Sequence, residues 1–295
     1  MIKLNGLEMH CTHACNLNCQ SCSHYSNHHH GGAVPVEVAE QEIQLWNNRI
    51  LPRRFAVLGG EPSLHPQLAE FVKMAIRSWP KSEIGVTSNG FGLSKHKKLW
   101  EVMSGQNANL TISKHSEDPS YLEKFNENMR VIEILCSKHQ VPLRVLNSVG
   151  SWRNQYFGYG HTMMPYQEGD SRTSWKNCRA KRCHTLFEGK IWKCPPLAFL
   201  KLQKKKFNLH QIWDQYLLYE KEGALYSSAT DQEIKDWLSR EDETYCSMCP
   251  KNPKILDLPN PLLPIIDLAK PSEVDSPGPG TGNKTYSIPE GIKHL

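Results

Sequence analysis

The 295-residue sequence has no apolar run of membrane-spanning length, and its opening residues, Met1-Ile2-Lys3-Leu4-Asn5, contain no apolar h-region. The expectation is a cytoplasmic protein with no membrane partner. Neither sign of charge dominates: 35 Lys and Arg against 30 Asp and Glu give a formal net charge of +5. That excess suits an anionic small molecule or a peptide and is too small to indicate nucleic acid. No internal repeat is visible, which argues against a solenoid. What remains is an ordinary soluble composition, 39% hydrophobic and 22% charged, long enough to bury one α/β barrel with a small appendage. The ten cysteines are the unusual component. In a reducing compartment they point to metal binding and catalysis rather than to disulfides.

Three of them form a Cys-x3-Cys-x2-Cys run, Cys15, Cys19 and Cys22. Thiolates at this spacing can hold three corners of a [4Fe-4S] cubane and leave one iron without a protein ligand, open to a small molecule. The competing reading is a structural zinc site, which needs four N/S ligands. His13, His24, Cys11 or the His28-His29-His30 run can complete one.

The first 150 residues alternate short apolar runs with helical patterns, the βαβ signature of a parallel sheet. Strands are expected at Leu7–His10, Phe55–Leu58, Ile84–Thr87, Leu110–Ser113 and Pro142–Leu146, with helices at Val36–Ile50, Leu68–Trp79 and Tyr121–His139. The cysteine loop, Gly59-Gly60-Glu61-Pro62, Thr87-Ser88-Asn89-Gly90 and Ser113-Lys114-His115 each follow a strand. In parallel α/β folds such loops open onto one rim, where ligands bind. Beyond residue 150 the periodicity fades. A hairpin is expected at Phe187–Trp192 with its turn at Glu188-Gly189. Helices follow at 207–221 and 230–239, and a Pro- and Gly-rich tail begins near Pro250.

Taken together, the cysteine run and Gly59-Gly60-Glu61-Pro62 resemble the radical S-adenosylmethionine (SAM) superfamily over roughly the first half of the chain. The resemblance implies a [4Fe-4S] cluster on Cys15, Cys19 and Cys22. The open iron would be chelated by SAM, and one-electron cleavage of SAM would give a 5′-deoxyadenosyl radical that takes a substrate hydrogen. It implies SAM contacts from Gly59, Gly60, Glu61 and Pro62, with the glycines letting backbone approach SAM and Pro62 stiffening the turn. Ser88, Asn89 and Ser113 resemble polar strand-end contacts to SAM, and Lys114, His115 and Arg144 occupy positions where carboxylate or ribose contacts occur. The family commonly places an aromatic residue before its third cysteine. Ser21 stands there, so adenine contacts fall to backbone or to Tyr25.

Cys178, Cys183, Cys194, Cys246 and Cys249 form a second set, in which Cys246-Ser247-Met248-Cys249 suits one metal centre. A zinc ribbon is the plain reading. The order also resembles the twitch appendage of radical SAM dehydrogenases and the related SPASM domain, which implies a second, auxiliary [4Fe-4S] cluster. The expected ligands are Cys178, Cys194, Cys246 and Cys249, with Cys183 as substitute for Cys178. Cys11 and Cys183 are candidate catalytic hydrogen-atom donors, although packed thiols are the simpler expectation. Cys136, on an apolar helix face with Val131, Ile132, Ile134 and Leu135, is expected in the core. The His28–His30 run reads as an exposed polar loop or a substrate rim, and Lys201 with Lys204-Lys205-Lys206 as a solvated face.

The fold expected is α/β: a partial (β/α)6 TIM-like barrel of the radical SAM type over 1–150, a small C-terminal twitch-like cluster-binding domain over 151–250, and an extension over 251–295. The function implied is abstraction of a hydrogen atom from a small polar, sugar- or nucleotide-like substrate, leading to oxidation, rearrangement or epimerisation. The early start of the barrel favours this over peptide maturation, since it leaves no room for a leader-binding domain. A flavodoxin- or ferredoxin-type protein would be the electron donor. A non-enzymatic iron–sulfur or zinc scaffold is the alternative of another class.

Overall fold

The computed structural model describes residues 1–150 and 153–256, so most of the expected C-terminal extension lies outside the described residues. Strand β1 (Ile2–His10) leads through the cysteine loop to α1 (Val36–Gln44). β2 (Ile50–Leu58), α2 (Leu68–Ser78), β3 (Glu83–Ser88), α3 (Lys97–Met103), β4 (Ala108–Lys114), α4 (Pro119–His139) and β5 (Leu143–Asn147) follow. These five strands are parallel, each hydrogen-bonded to the next in sequence. A helix between successive strands is what a parallel crossover requires.

The helices form where their apolar residues share a face. In α2, Leu68, Phe71, Val72 and Ala75 recur at three- and four-residue intervals and are all buried. Helix α4 begins at Pro119 behind Asp118, whose carboxylate accepts hydrogen bonds from the Ser120 and Tyr121 amides. Its face is narrower than its composition suggests. Ile132 and Cys136 point inward, whereas Val131 and Ile134 stand 45% and 67% exposed. Tryptophans lock the layers, with Trp79 Nε1 donating to the Ile50 carbonyl and Trp46 Nε1 to that of Gly189. Phe55, fully buried on β2, packs its ring 4.7 Å from that of Trp79. Phe55→Ala is expected to cost about 3–5 kcal/mol, measured as a lowered denaturation midpoint. A loss under about 1 kcal/mol would show that this layer collapses to fill the space.

After α5 (Ser171–Asn177) comes the hairpin, β6 (Thr185–Phe187) and β7 (Lys190–Trp192), turned through Glu188 and Gly189 with positive φ. The sixth parallel strand is found here rather than in a sixth β/α unit: β6 pairs parallel with β1, Glu8 opposite Thr185 and Met9 opposite Leu186. The sheet therefore continues past residue 150 as an open, eight-stranded, mostly parallel layer in the order β5-β4-β3-β2-β1-β6-β7-β8, where β8 is Ala224–Leu225.

The expected helix over 207–221 is broken. Helix α6 instead spans Pro195–Phe207, followed by the short helices α7 (Asp214–Leu217) and α8 (Glu220–Gly223). The two prolines that obscure α6 in the sequence sit in its first turn, where their missing N–H groups cost nothing. Helix α9 (Asp231–Ser239) starts at a Thr230–Glu233 capping box. A second, smaller core forms under α6 from Phe187, Trp192, Phe199, Trp213 and Tyr245, and it includes Tyr25 from the cysteine loop. Among the described residues, no helix is long and apolar enough to cross a membrane.

Candidate active site

Four loops after parallel strands meet at the C-terminal ends of β1 to β4. The Gly59-Gly60-Glu61-Pro62 turn lies against the cysteine loop backbone to backbone. The Gly60 amide donates to the Thr12 carbonyl and the Glu61 amide to that of Ala14, both at 2.8 Å. A β-carbon on Gly59 would sit 2.5 Å from the Thr12 oxygen, and one on Gly60 2.2 Å from the Ala14 oxygen. The glycines are thus required by the approach of the cysteine loop, a reason distinct from the approach of a ligand.

Glu61 ties this contact to the loop after β3. Its carboxylate is fully buried and accepts hydrogen bonds from the Ser63 amide (2.9 Å), the Ser88 hydroxyl (2.6 Å) and the Asn89 amide (2.7 Å). Burial pushes its pKa up, against the pull of those donors. Asn89 Nδ2 in turn donates to Asn16 Oδ1 at 2.7 Å, inside the cysteine loop. In this structure Glu61, Ser88 and Asn89 hold the loops together. Of the other expected ligand contacts, Ser113 is buried at the end of β4, Lys114 is engaged by Glu117 at 2.6 Å, and Arg144 is exposed on the edge strand. His115 Nδ1 lies 3.6 Å from Cys19 Sγ.

Cys15 and Cys19 are 9% and 6% exposed, and Cys22 is half-buried. Burial raises the Cys15 and Cys19 thiols; Glu61 and then Cys22 push Cys15 further in the same direction, and Cys15 and Cys22 do so for Cys19. Cys22 differs. Burial would raise it, but a hydrogen bond from His24 and the charge of that imidazole hold it below the usual thiol range. Burial would likewise lower His24, yet its bonds to Cys22 and Glu8 carry it up to about 10. Glu8 is the joint of this arrangement, with His24 Nε2 at 3.4 Å and the Thr185 hydroxyl donating at 3.1 Å. Sequence reasoning missed Glu8 and His24 as partners, because only the folded loop brings residue 24 back beside residue 8.

Among the described residues, no three His, Cys, Asp or Glu side chains gather around a single-ion position. In a cubane each thiolate binds its own iron, so a wider spacing serves such a cluster. Cys15 and Cys19, raised by burial, and Cys22, held low by His24, are three thiols on one short loop, and this donor set fits a cluster that takes three thiolates.

The histidine run is not an exposed loop. His28 is 1% exposed, stacked on Tyr159 with centroids 4.3 Å apart, and bonded through Nε2 to the Tyr156 hydroxyl at 3.0 Å. His30 meets Gln203 at 2.6 Å, and only His29 is exposed. The basic run is likewise partly absorbed. Lys206 donates to the His28 and His29 carbonyls, and Lys204 pairs with Asp214 at 2.7 Å. Cys11 is fully buried in the main core, with its thiol pushed up by burial, a setting for a packed thiol rather than a hydrogen donor. Tyr25 sits in the second core, 5.7 Å from Tyr156, with Cys249, Cys194 and Cys22 in electrostatic reach. It faces the second cysteine set more than it faces the Gly-Gly-Glu-Pro turn.

That second set lines a cavity of about 240 Å³. Cys178, Cys183, Cys194, Cys246 and Cys249 form one part of its wall, and Ser21 and Ser23, the neighbours of Cys22, form another. Burial raises Cys194 and Cys249, and both also feel Cys178 and Cys246. Burial raises Cys183 too, but Glu8 and Cys178 are its charged neighbours, and Cys249 does not feel it. Cys178 and Cys183 both lie within electrostatic reach of Cys194.

Comparison with known proteins agrees with this geometry. Residues 9–140 match the Radical SAM superfamily. The chain is similar to GTP 3′,8-cyclase of Shewanella denitrificans, 23% identical over 134 residues, which span 45% of this chain and 39% of that protein. It therefore covers about two-fifths of that relative's length. Among solved structures, BtrN in complex with AdoMet and 2-DOIA aligns over 89% of this chain and 100% of its own, with a TM-score of 0.50 and 15% identity, a likeness of fold. Native anSMEcpe with bound AdoMet aligns over 48% of this chain and 43% of its own, at 20% identity and a TM-score of 0.36. The cysteine run and the Gly-Gly-Glu-Pro turn both lie inside the matched segment, so it is residues 9–140 of the chain that are similar to the radical SAM superfamily.

Proposed function

We propose that this chain is a two-cluster radical SAM enzyme that oxidises a small polar substrate, sugar-like or nucleotide-like. The observation that carries the proposal is the cavity whose lining includes both the flanks of Cys22 and all five cysteines of the second set. Cys15, Cys19 and Cys22 would hold the SAM-binding [4Fe-4S] cluster, and Cys178, Cys194, Cys246 and Cys249 an auxiliary one. When bound, the first group supplies a substrate-activating radical by one-electron cleavage of SAM and the second a one-electron acceptor, a pairing that suits two-electron oxidation of a C–H bond.

The chain's own residues position and enclose. Glu61 and Asn89 fix the cysteine loop against two neighbouring loops. Tyr25, Tyr156 and Phe199 belong to the core against which Cys194, Cys246 and Cys249 pack. An electron donor of flavodoxin or ferredoxin type completes the proposal.

Replacing Cys246 and Cys249 by alanine tests the division of labour. The protein should lose about half of roughly eight irons and still cleave SAM to 5′-deoxyadenosine under anaerobic reduction, with circular dichroism as the folding control. Full iron content in the double variant, or loss of SAM cleavage in folded protein, would overturn the assignment.

A further inference from the structure

We infer that the cavity contains an oxyanion-binding subsite built on Arg153 and Gln155, which grips a carboxylate or phosphate of the substrate; the inference rests on the substrate-binding reading above. Arg153 Nη1 and Gln155 Oε1 belong to residues that line the cavity, are shut off from solvent, and have no hydrogen-bond partner among the described residues. Buried polar atoms are ordinarily satisfied, and a guanidinium nitrogen left bare is costly enough to require an explanation. A donor and an acceptor left open in one cavity are what a ligand carrying both an anion and a hydroxyl or amine would complete. The Tyr245 hydroxyl, also buried and unpartnered, belongs to another residue of the same lining.

Charge bookkeeping gives the sign. The two carboxylates lining the cavity are already paired, Glu241 with Arg172 at 2.7 Å and Glu243 with Arg240 at 2.8 Å. Arg153 and Arg179 also line it, and neither forms an ion pair among the described residues. Two guanidinium groups of the lining thus lack a carboxylate partner among the described residues. Arginine's planar fork matches the oxygens of a carboxylate or phosphate. The subsite is also anchored. Arg153 bridges to Ile255, the Lys254 amide donates to Asn154 Oδ1 at 2.7 Å, and Asn154 Nδ2 donates to the Tyr166 hydroxyl. The backbone that presents both side chains is thereby fixed before any ligand arrives.

The test uses the full chain, reconstituted anaerobically, and isothermal titration calorimetry with pyrophosphate, malonate and uncharged glycerol as probes. One of the two anions should bind at one site per chain, and glycerol should not. Arg153→Met should weaken that binding at least tenfold, with iron content and SAM affinity unchanged. The preferred anion identifies the substrate's group as phosphate or carboxylate. Gln155→Leu should weaken binding as well, and it decides the matter if Arg153→Met does not fold. Absence of one-site binding by either anion, or retention within twofold in a folded Arg153→Met protein, overturns the subsite. SAM cleavage is measured in parallel. Cleavage without anion binding removes this subsite alone, and anion binding without cleavage removes the radical reading instead.

Discussion

Replacing Cys15, Cys19 and Cys22 together by alanine is expected to remove about half of the iron, about four of eight atoms, and all reductive cleavage of SAM. The loop that carries them is held by bonds that do not involve sulfur: Gly60 to Thr12, Glu61 to Ala14 and Asn89 to Asn16. The triple variant should therefore remain folded, and its loss of activity should report on the thiolates rather than on collapse. Iron and sulfide analysis together with 5′-deoxyadenosine formation provide the measurement. Stoichiometric zinc with little iron in wild-type protein purified without air would defeat the expectation, because the run would then be a structural metal site.

Gly60→Val is the second large effect, and the structure changes its expected form. Read from the sequence, the glycine serves close approach of SAM, so the substitution should abolish SAM binding and spare the cluster. In the fold, the added β-carbon would fall 2.2 Å from the Ala14 oxygen and 2.6 Å from its carbonyl carbon. Backbone atoms cannot yield as a flexible side chain can, so the cysteine loop must move. Iron bound by the first site and SAM affinity should fall together, SAM affinity by at least a hundredfold in equilibrium dialysis. Iron content equal to wild type with SAM binding lost would restore the simpler account. Unchanged SAM binding would reduce the turn to a strand ending.

Much of the barrel was legible because its signals are local. Strands β1 to β4 end in the loops that the sequence marks, and Leu68, Phe71, Val72 and Ala75 give α2 its face. The shared rim followed from parallel topology alone. What escaped the sequence depends on distant partners. His28 reads as polar until Tyr156 and Tyr159, more than a hundred residues away, close over it. Glu61 reads as a ligand until Ser88 and Asn89 take both its oxygens. Val131 and Ile134 look like core, but a helix on an open sheet buries one narrow face. Arg153 and Gln155 lie in a stretch without periodicity, where a sequence offers no sign that two polar side chains share a cavity. The assignment of Cys178 over Cys183 is a matter of spacing in the sequence, and both thiols line the same cavity.

The pairing of β6 with β1 has a consequence for how such a protein can change over generations. Cys183 lies two residues before β6 and Cys194 two residues after β7, while the first cysteine run follows β1 directly. Strand register, with neighbours roughly 4.8 Å apart, thus sets the separation of the two cysteine sets. The long connection from β5 to β6 can gain or lose residues in descendants without altering that distance. A single insertion inside β6 would instead turn every following side chain to the other face. The spacing between the sites is in this sense inherited as a register, and loop length is left free to diversify around whatever the cavity comes to hold.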